Sequence, residues 1–87
     1  MGDRWYNIRE IWTGLSGGLY YAEDIDSSGD LDDAIRRARE FLRDSYAAAS
    51  EMTAQEYDRV DIAVWEMDGD DEVRLVWHRY RTFDLDY

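Results

Sequence analysis

One segment of this chain has the hydrophobic spacing of an amphipathic helix, and segments with the spacing of β-strands stand on both sides of it. From Leu31 to about Ala49 the apolar residues recur every three or four positions, which places them in one stripe along a helix. They are residues 31, 34, 35, 38, 41, 42, 46 and 49. Asp30 precedes the stripe as an N-cap, and Asp32 and Asp33 suit the positive end of the helix dipole. The sequence therefore predicts one main helix that packs through one face.

The polar side of this predicted helix is mostly charged. It carries Arg36, Arg37, Arg39, Glu40, Arg43 and Asp44. Opposite charges at i,i+4 spacing stabilise a solvated helix by roughly 0.3 kcal/mol per pair. The pairs at this spacing are Asp32 with Arg36, Asp33 with Arg37 and Arg36 with Glu40. The helix arginines therefore need no nucleic-acid partner to explain them.

Four further segments have the composition and alternation of strands. They are residues 5–12, 19–25, 60–67 and 73 to about 83. A loop over 13–18 and acidic turns over 26–30 and 68–72 separate them from their neighbours, and Thr53–Glu56 matches a capping box that predicts a helical turn before the third strand. The order is ββαββ, so we expect an α+β fold: a single domain over residues 1–87 with a four-stranded antiparallel sheet and the helix packed on one face.

One helix can cover only one face of such a sheet. Alternation assigns to the helix side Tyr6, Ile8, Trp12, Leu19, Tyr21, Val60, Ile62, Val64, Leu75 and Trp77. It assigns to the other side Trp5, Ile11, Tyr20, Ala63, Trp65, Met67, Val76 and Tyr80. Because aromatic residues and Met are enriched in interface cores, we expect this second face to contact a partner protein, or a second copy of the chain in a homodimer, through Trp5, Tyr20, Trp65, Met67 and Tyr80. The alternative is that sheet twist, the 49–59 connection and the C-terminal tail cover part of it.

The charge balance of the chain is strongly acidic. There are 21 Asp and Glu residues against 10 arginines and no lysine, which gives a formal net charge of −11 at pH 7. Such a chain repels nucleic acid and anionic lipid, so neither is expected as a direct partner. Three interpretations stand: a GC-rich genome that favours Arg, Asp, Ala and Gly codons, adaptation to high salt, or carboxylates that present a phosphate-like field to a basic partner.

Two acidic runs lie at predicted turns. The first contains Glu23, Asp24, Asp26, Asp30, Asp32 and Asp33. The second contains Glu66, Asp68, Asp70, Asp71 and Glu72. If both turns lie at one end of the sheet, as a meander of hairpins would allow, we expect these residues to steer the protein onto a basic partner surface.

No residue pattern indicates an enzyme, a cofactor or a metal cluster. The chain has no cysteine, which excludes disulfides, thiolate metal sites and a cysteine nucleophile. His78 is the single histidine, and no Ser or Cys pattern supplies a catalytic partner, so we interpret it as a surface or cross-strand residue. No apolar run approaches the roughly 20 residues that span a bilayer, and the N-terminus does not match a signal peptide. We therefore expect a cytoplasmic protein that does not enter a membrane.

The segment from Asp24 to Leu31 reproduces the opening of a calcium-binding loop. Oxygen-bearing residues stand at its first, third and fifth positions, Gly29 at the sixth and an apolar residue at the eighth. The twelfth position, which needs a bidentate Glu, is Ile35, and the preceding segment predicts a strand instead of a helix. We interpret the segment as an acidic turn with an N-cap, with a calcium site as the alternative.

Two family resemblances bear on function. A short, acidic, cysteine-free and aromatic-rich chain of this kind resembles the phage and mobile-element inhibitors of bacterial defence systems, the anti-CRISPR and anti-restriction proteins. Residues 5–49, with two strands, an acidic turn and the helix opening Gly29-Asp-Leu-Asp-Asp-Ala-Ile-Arg-Arg-Ala-Arg39, are similar to the antitoxin halves of HicAB-type pairs. Those antitoxins usually carry a proline-bearing, glycine-rich stretch before the helix and often a DNA-binding segment, whereas this chain has no proline and no basic tail.

The first resemblance implies a non-enzymatic inhibitor that binds the basic nucleic-acid-binding surface of a CRISPR-Cas-like defence complex as a nucleic-acid mimic. If a phage encodes it, the inhibitor acts in the cytoplasm of the host cell. The second resemblance implies an antitoxin-like or dimeric protein-binding module that uses the uncovered face of the sheet.

Overall fold

A computed structural model describes residues 4–14, 20–52 and 57–82, with side chains over the same ranges apart from residues 20 and 49–52. Its elements are β1 (Arg4–Gly14), β2 (Tyr20–Ser28), α1 (Leu31–Met52), β3 (Tyr57–Asp68) and β4 (Asp71–Thr82). The predicted α+β class, with one four-stranded antiparallel sheet and one helix in the order ββαββ, is confirmed. The predicted capping-box turn at Thr53–Glu56 lies outside the described residues.

The strands lie in the order β2-β1-β3-β4, and every neighbouring pair is antiparallel. β1 and β3 therefore form the central pair, with Ile8 opposite Val64 and Trp12 opposite Val60. The β1–β2 hairpin and the β3–β4 hairpin thus lie side by side, joined through β1 and β3. In a simple meander the strands would instead lie in chain order. Because α1 connects an outer strand to an inner one, the chain crosses the sheet and brings the helix onto one face.

The core lies between the apolar stripe of α1 and the central strands. Ala34 and Ala38 of the helix are both 0% exposed, and their small side chains let the helix backbone approach the sheet closely. The other buried members of this cluster are Ile8, Leu42, Val60, Ile62, Val64 and Trp77. Tyr6 and Trp12 pack against it as predicted. Tyr21 lies opposite Trp12 on the outer strand, where it stays 47% exposed, and Leu19 lies outside the described residues.

The predicted faces of β4 are wrong at Leu75 and Val76. Trp77 lies opposite Val64, but the next pair along the ladder joins Leu75 to Trp65. Val76 is thus an extra residue in β4, and it packs against the core. Leu75 consequently lies on the second face, where it is 47% exposed. Simple alternation misses this change because it assumes that no residue is inserted into the ladder.

The predicted start of α1 is confirmed. The backbone N–H of Asp33 donates to the side-chain Oδ2 of Asp30 at 2.9 Å, which is the hydrogen bond of an N-cap. The N–H of Ala34 donates to the carbonyl oxygen of Asp30 at 2.9 Å and closes the first helical turn.

Two of the three predicted i,i+4 ion pairs are present on α1. Arg37 lies 2.8 Å from Asp33, and Arg36 lies 3.1 Å from Glu40. The predicted pair of Asp32 with Arg36 is wrong, because Arg36 also binds Asp33 at 2.7 Å. Within the described ranges, Asp32 is therefore left without an arginine.

We expect Ile62→Ala to destabilise the protein by about 2–5 kcal/mol, because it removes a fully buried side chain from the middle of the core. The free energy of unfolding in urea, followed by tryptophan fluorescence, measures the loss. Val73→Ala is the matched control: Val73 is 45% exposed, and the change should cost roughly 0.5 kcal/mol or less. Equal losses in the two variants would contradict the described core.

Candidate functional site

The two acidic turns lie at the same end of the sheet, which is the condition for the predicted acidic surface. At the start of β1, Tyr6 lies opposite Ser28 of β2, and Arg4 lies opposite Asp68 of β3. The end of β2, the start of α1 and the β3–β4 turn therefore converge beside the first residues of β1. Glu23 is an exception, because it lies opposite Glu10, further along the strand.

The backbone of the β3–β4 turn, which carries three of the carboxylates, is tied to the sheet. Asp68 and Asp71 are directly opposite each other, so Gly69 and Asp70 form a two-residue turn. Gly69 has a φ of 60°, in the left-handed region that glycine adopts without strain. The indole N–H of Trp5 donates to the carbonyl oxygen of Gly69 at 2.8 Å, which ties the turn to the first strand.

Arginines neutralise part of the predicted acidic surface. N···O distances of 2.6–3.6 Å join arginines to Asp24, Asp26, Asp33, Glu66 and Glu72. Hydrogen bonds from Arg9 and Asn7 lower the pKa of Asp24 below its usual value. Hydrogen bonds from Arg36 and Ser28 lower the pKa of Asp33 in the same way. These carboxylates are thus already engaged inside the molecule.

The remaining predicted carboxylates at this end have no arginine within 4.0 Å in the described part of the chain. We call them the acidic end: Asp30, Asp32, Asp68, Asp70 and Asp71. Four of these side chains are exposed, and that of Asp68 is half-buried. Because arginines neutralise the carboxylates around them, the uncompensated negative charge is concentrated at the helix start and the hairpin turn. Such a concentration can accelerate association with a basic surface.

The second face of the sheet, which is turned away from α1, carries a charged bridge. Arg9 donates from Nε to Asp24 of β2 at 2.9 Å and from Nη2 to Glu72 of β4 at 2.6 Å. Asn7 donates to the same Asp24 at 2.8 Å, and the Arg9 guanidinium lies 6.0 Å from the ring centre of Trp65. These hydrogen bonds and charges raise the pKa of Arg9 above its usual value. Arg9 therefore links both outer strands across the centre of this face.

The predicted sheet-face residues differ in exposure. Tyr80 is 52% exposed, whereas Trp5 and Trp65 are half-buried, and the side chain of Tyr20 lies outside the described residues. The expectation that Met67 is uncovered is wrong, since Met67 is only 7% exposed. It lies opposite Trp5 on one side and Glu72 on the other, and these two side chains flank it.

Ala63, also expected on the uncovered side, is only 4% exposed. Arg9 and His78 lie opposite it on the two neighbouring strands. Their longer side chains flank a small one, which explains its low exposure. The second face is therefore a mixed surface with charged residues among its rings.

Sequence reasoning missed a buried carboxylate at the centre of a second polar cluster on this face. Asp61 is 6% exposed, and Arg59 donates to both of its oxygens at 2.6 and 2.8 Å. His78 Nε2 lies 2.6 Å from Asp61 Oδ2, and the Arg59 guanidinium lies 4.1 Å from the ring centre of Tyr80. Burial by itself raises the pKa of Asp61, but the hydrogen bonds from Arg59 and His78 outweigh it and leave the pKa lowered. The only signal in the sequence was the i,i+2 spacing of Arg59 and Asp61.

The calcium-loop interpretation finds no support in the geometry. Asp24 and Asp26 belong to strand β2, and each is bound to an arginine, Arg9 and Arg37 respectively. Across residues 4–14, 20–52 and 57–82, no group of three or more His, Asp or Glu side chains is arranged to hold a metal ion. Within the same ranges, no helix is long and apolar enough to cross a membrane.

Comparison with known proteins adds no family assignment: no family model, curated protein or solved structure matches the chain. The resemblances to defence-system inhibitors and to antitoxins therefore stay predictions. The features of the molecule that bear on its function are the acidic end and the second face of the sheet.

We expect Asp61→Asn to cost about 1–3 kcal/mol of stability at pH 7, because Arg59 and His78 lose a buried charged acceptor. A carboxylate with a lowered pKa stabilises the fold above its unfolded pKa of about 3.9, and loses that contribution as the pH falls through its folded value. The stability difference between wild type and variant should therefore shrink as the pH falls below about 4.

Urea unfolding at a series of pH values measures this difference, with Asp70→Asn at the exposed turn as the control. The control should change stability by roughly 0.5 kcal/mol or less. A difference for Asp61→Asn that is the same at pH 3 as at pH 7 would contradict the assigned role of the carboxylate.

Proposed function

We propose that this chain is a non-enzymatic protein inhibitor that acts in the cytoplasm and binds a basic nucleic-acid-binding surface of a partner with its acidic end. The partner class that we propose is a bacterial defence complex of the CRISPR-Cas kind, whose nucleic-acid groove the carboxylates would occupy as a mimic. The observation that carries the proposal is the set of five carboxylates at one end of the sheet that have no arginine partner within the described ranges.

The arrangement of the arginines supports this use of the acidic end. Arg9, Arg36, Arg37 and Arg74 neutralise carboxylates that lie close to it, so the free negative charge at this end is concentrated at the helix start and the hairpin turn. Charge concentrated in this way makes the electrostatic potential most negative at one end of the molecule. This potential steers and orients an approaching basic surface. Carboxylates on a fixed turn also need little ordering on binding, which reduces the entropic cost of association.

The test is affinity capture from the lysate of the source organism, followed by competition on the captured partner. We expect the wild-type chain to retain a protein with a basic nucleic-acid groove and to release labelled DNA or RNA from that protein in a fluorescence-anisotropy assay. The variant Asp68→Asn/Asp70→Asn/Asp71→Asn should compete at least roughly tenfold less well, because each charge contact at an interface is worth about 1 kcal/mol or more.

The matched control is Glu23→Gln/Glu40→Gln/Asp44→Asn, which removes the same number of charges from exposed positions away from the acidic end. This control should compete as well as wild type. Equal loss in both triple variants would show that net charge alone acts, and a captured partner that binds without displacing nucleic acid would exclude the mimic.

A second candidate function, an antitoxin-like or dimeric module, is favoured by the exposed apolar residues of β4. Leu75 and Tyr80 are 47% and 52% exposed and both lie on the second face of an outer strand. This alternative predicts a dimer in sedimentation-velocity experiments that persists at high salt and dissociates on Trp65→Ala or Leu75→Arg. Tyr21→Ala, on the other outer strand and 47% exposed, is the control. A monomer at all concentrations would exclude the dimeric form of this alternative.

A further inference from the structure

Four arginines line a groove between α1 and the outer strand β4. Together with Leu42 and Trp77, they enclose about 200 Å³, and we call this site the arginine groove: Arg39, Leu42, Arg43, Trp77, Arg79 and Arg81. Arg39 and Arg43 stand at i,i+4 spacing on the helix. Arg79 and Arg81 lie opposite Ile62 and Val60, two core residues, and therefore on the helix side of the sheet.

Three of these four arginines differ from the others in having no carboxylate partner among the described residues. Seven of the chain's ten arginines form ion pairs within 4.0 Å: residues 4, 9, 36, 37, 43, 59 and 74. In the described part of the molecule, the three without a carboxylate are Arg39, Arg79 and Arg81, and all three line the arginine groove. Arg43 contacts only Asp44, at 3.4 Å, in a pair that is more than 70% exposed on both sides.

In a chain with a formal net charge of −11, this placement concentrates at one site the positive charge that no described carboxylate compensates. Like charges that line one groove repel one another, and an anion that enters the groove relieves this repulsion. The arginine groove therefore has a stronger electrostatic preference for an anion than any acid-paired arginine of the surface.

Aromatic rings hold two of these guanidinium groups while leaving donors free. The Arg79 guanidinium lies 5.4 Å from the ring centre of Trp77, and that of Arg81 lies 5.5 Å from the ring centre of Tyr46. A stacked guanidinium keeps its N–H donors at the edge of its plane, where they can form paired hydrogen bonds with an oxyanion. One Arg79 nitrogen donates to the carbonyl oxygen of His78 at 2.8 Å, and this further orients the group.

A second, independent observation concerns the aromatic residue that lines the groove. Trp77 is only 8% exposed, and its Nε1–H is buried without a hydrogen-bond partner within the described residues. A buried donor without an acceptor costs roughly 1–3 kcal/mol, and such groups are few in native proteins. A ligand oxygen in the groove satisfies it only if the Trp77 ring turns, because this N–H has almost no accessible surface.

We propose that the arginine groove binds the phosphate group of a small phosphorylated ligand. Its volume is below the roughly 300 Å³ at which whole-ligand pockets begin, so a single phosphate head fills it and the rest of the ligand stays outside. The negative charge of the whole chain repels a long polyanion, whereas screening beyond roughly 8 Å lets a compact anion respond mainly to the nearby arginines. These two facts favour a small ligand over nucleic acid.

The groove and the acidic end are separate sites. Arg81 stands ten positions after Asp71 on β4, which is roughly 30 Å along an extended strand. Phosphate binding in the groove is therefore independent of the proposed partner surface, and each can fail without the other.

The test is an NMR titration of the full chain with inorganic phosphate and with pyrophosphate, at constant ionic strength balanced with sodium chloride. We expect the side-chain N–H signals of Trp77, Arg39, Arg79 and Arg81 to shift and saturate with a Kd of about 1 mM or tighter. Arg79→Gln/Arg81→Gln should weaken binding at least tenfold. Arg36→Gln/Arg74→Gln removes the same charge from acid-paired, exposed arginines and should leave the affinity within twofold of wild type.

If the double Gln variant does not fold, the single variants Arg39→Gln and Arg81→Gln serve in its place, each with an expected loss of threefold or more. Phosphate shifts that do not saturate, or that are equal at all ten arginines, overturn the proposal. So does equal loss in the control. A parallel titration with a single-stranded oligonucleotide distinguishes the ligand class: tighter, steeply salt-dependent binding of the oligonucleotide would overturn the small-ligand assignment.

Discussion

The structure depends on the close packing of one helix against the two central strands of a four-stranded sheet. Ala34 and Ala38 make this contact possible, because only small side chains let α1 approach Ile8 and Ile62 closely. The same constraint leaves the other face without a helix. The protein fills that face with ion-paired polar groups, so Arg9 joins the outer strands and Arg59 holds the buried Asp61. Packing energy on one side and paired charges on the other thus maintain a thin, one-helix fold.

Arginines are outnumbered by carboxylates in this chain, and their distribution determines the surface. With 21 carboxylates and 10 arginines, not every acid can be paired. The pairs that form lie on the helix and across the sheet. Within the described residues, most carboxylates without an arginine lie at the acidic end, and the arginines without a carboxylate line the arginine groove. A genome or salt bias towards Asp and Arg accounts for the composition. It does not account for this separation of the unpaired charges in the fold.

The sequence predicts the local features of the fold and misses those that depend on strand pairing. Asp30 marks the helix start correctly because capping is a local interaction. Alternation predicts the strands, but the inserted residue in β4 places Leu75 and Val76 on the faces opposite to those predicted. The Asp61 cluster and the arginine groove were missed because their members come from elements that meet only through the strand order β2-β1-β3-β4. The sequence alone shows only that the two acidic turns would act together if they lay at one end of the sheet. The strand register places them at the same end.

The central claim is that the unpaired carboxylates of the acidic end make the protein's contact with a basic partner. The measurement that tests it most directly is the association rate constant with the captured partner as a function of salt concentration, by surface-based or stopped-flow kinetics. The account predicts that this rate constant falls at least about tenfold between roughly 0.05 and 0.5 M sodium chloride, while the dissociation rate constant changes little. An association rate constant that is independent of salt would contradict it.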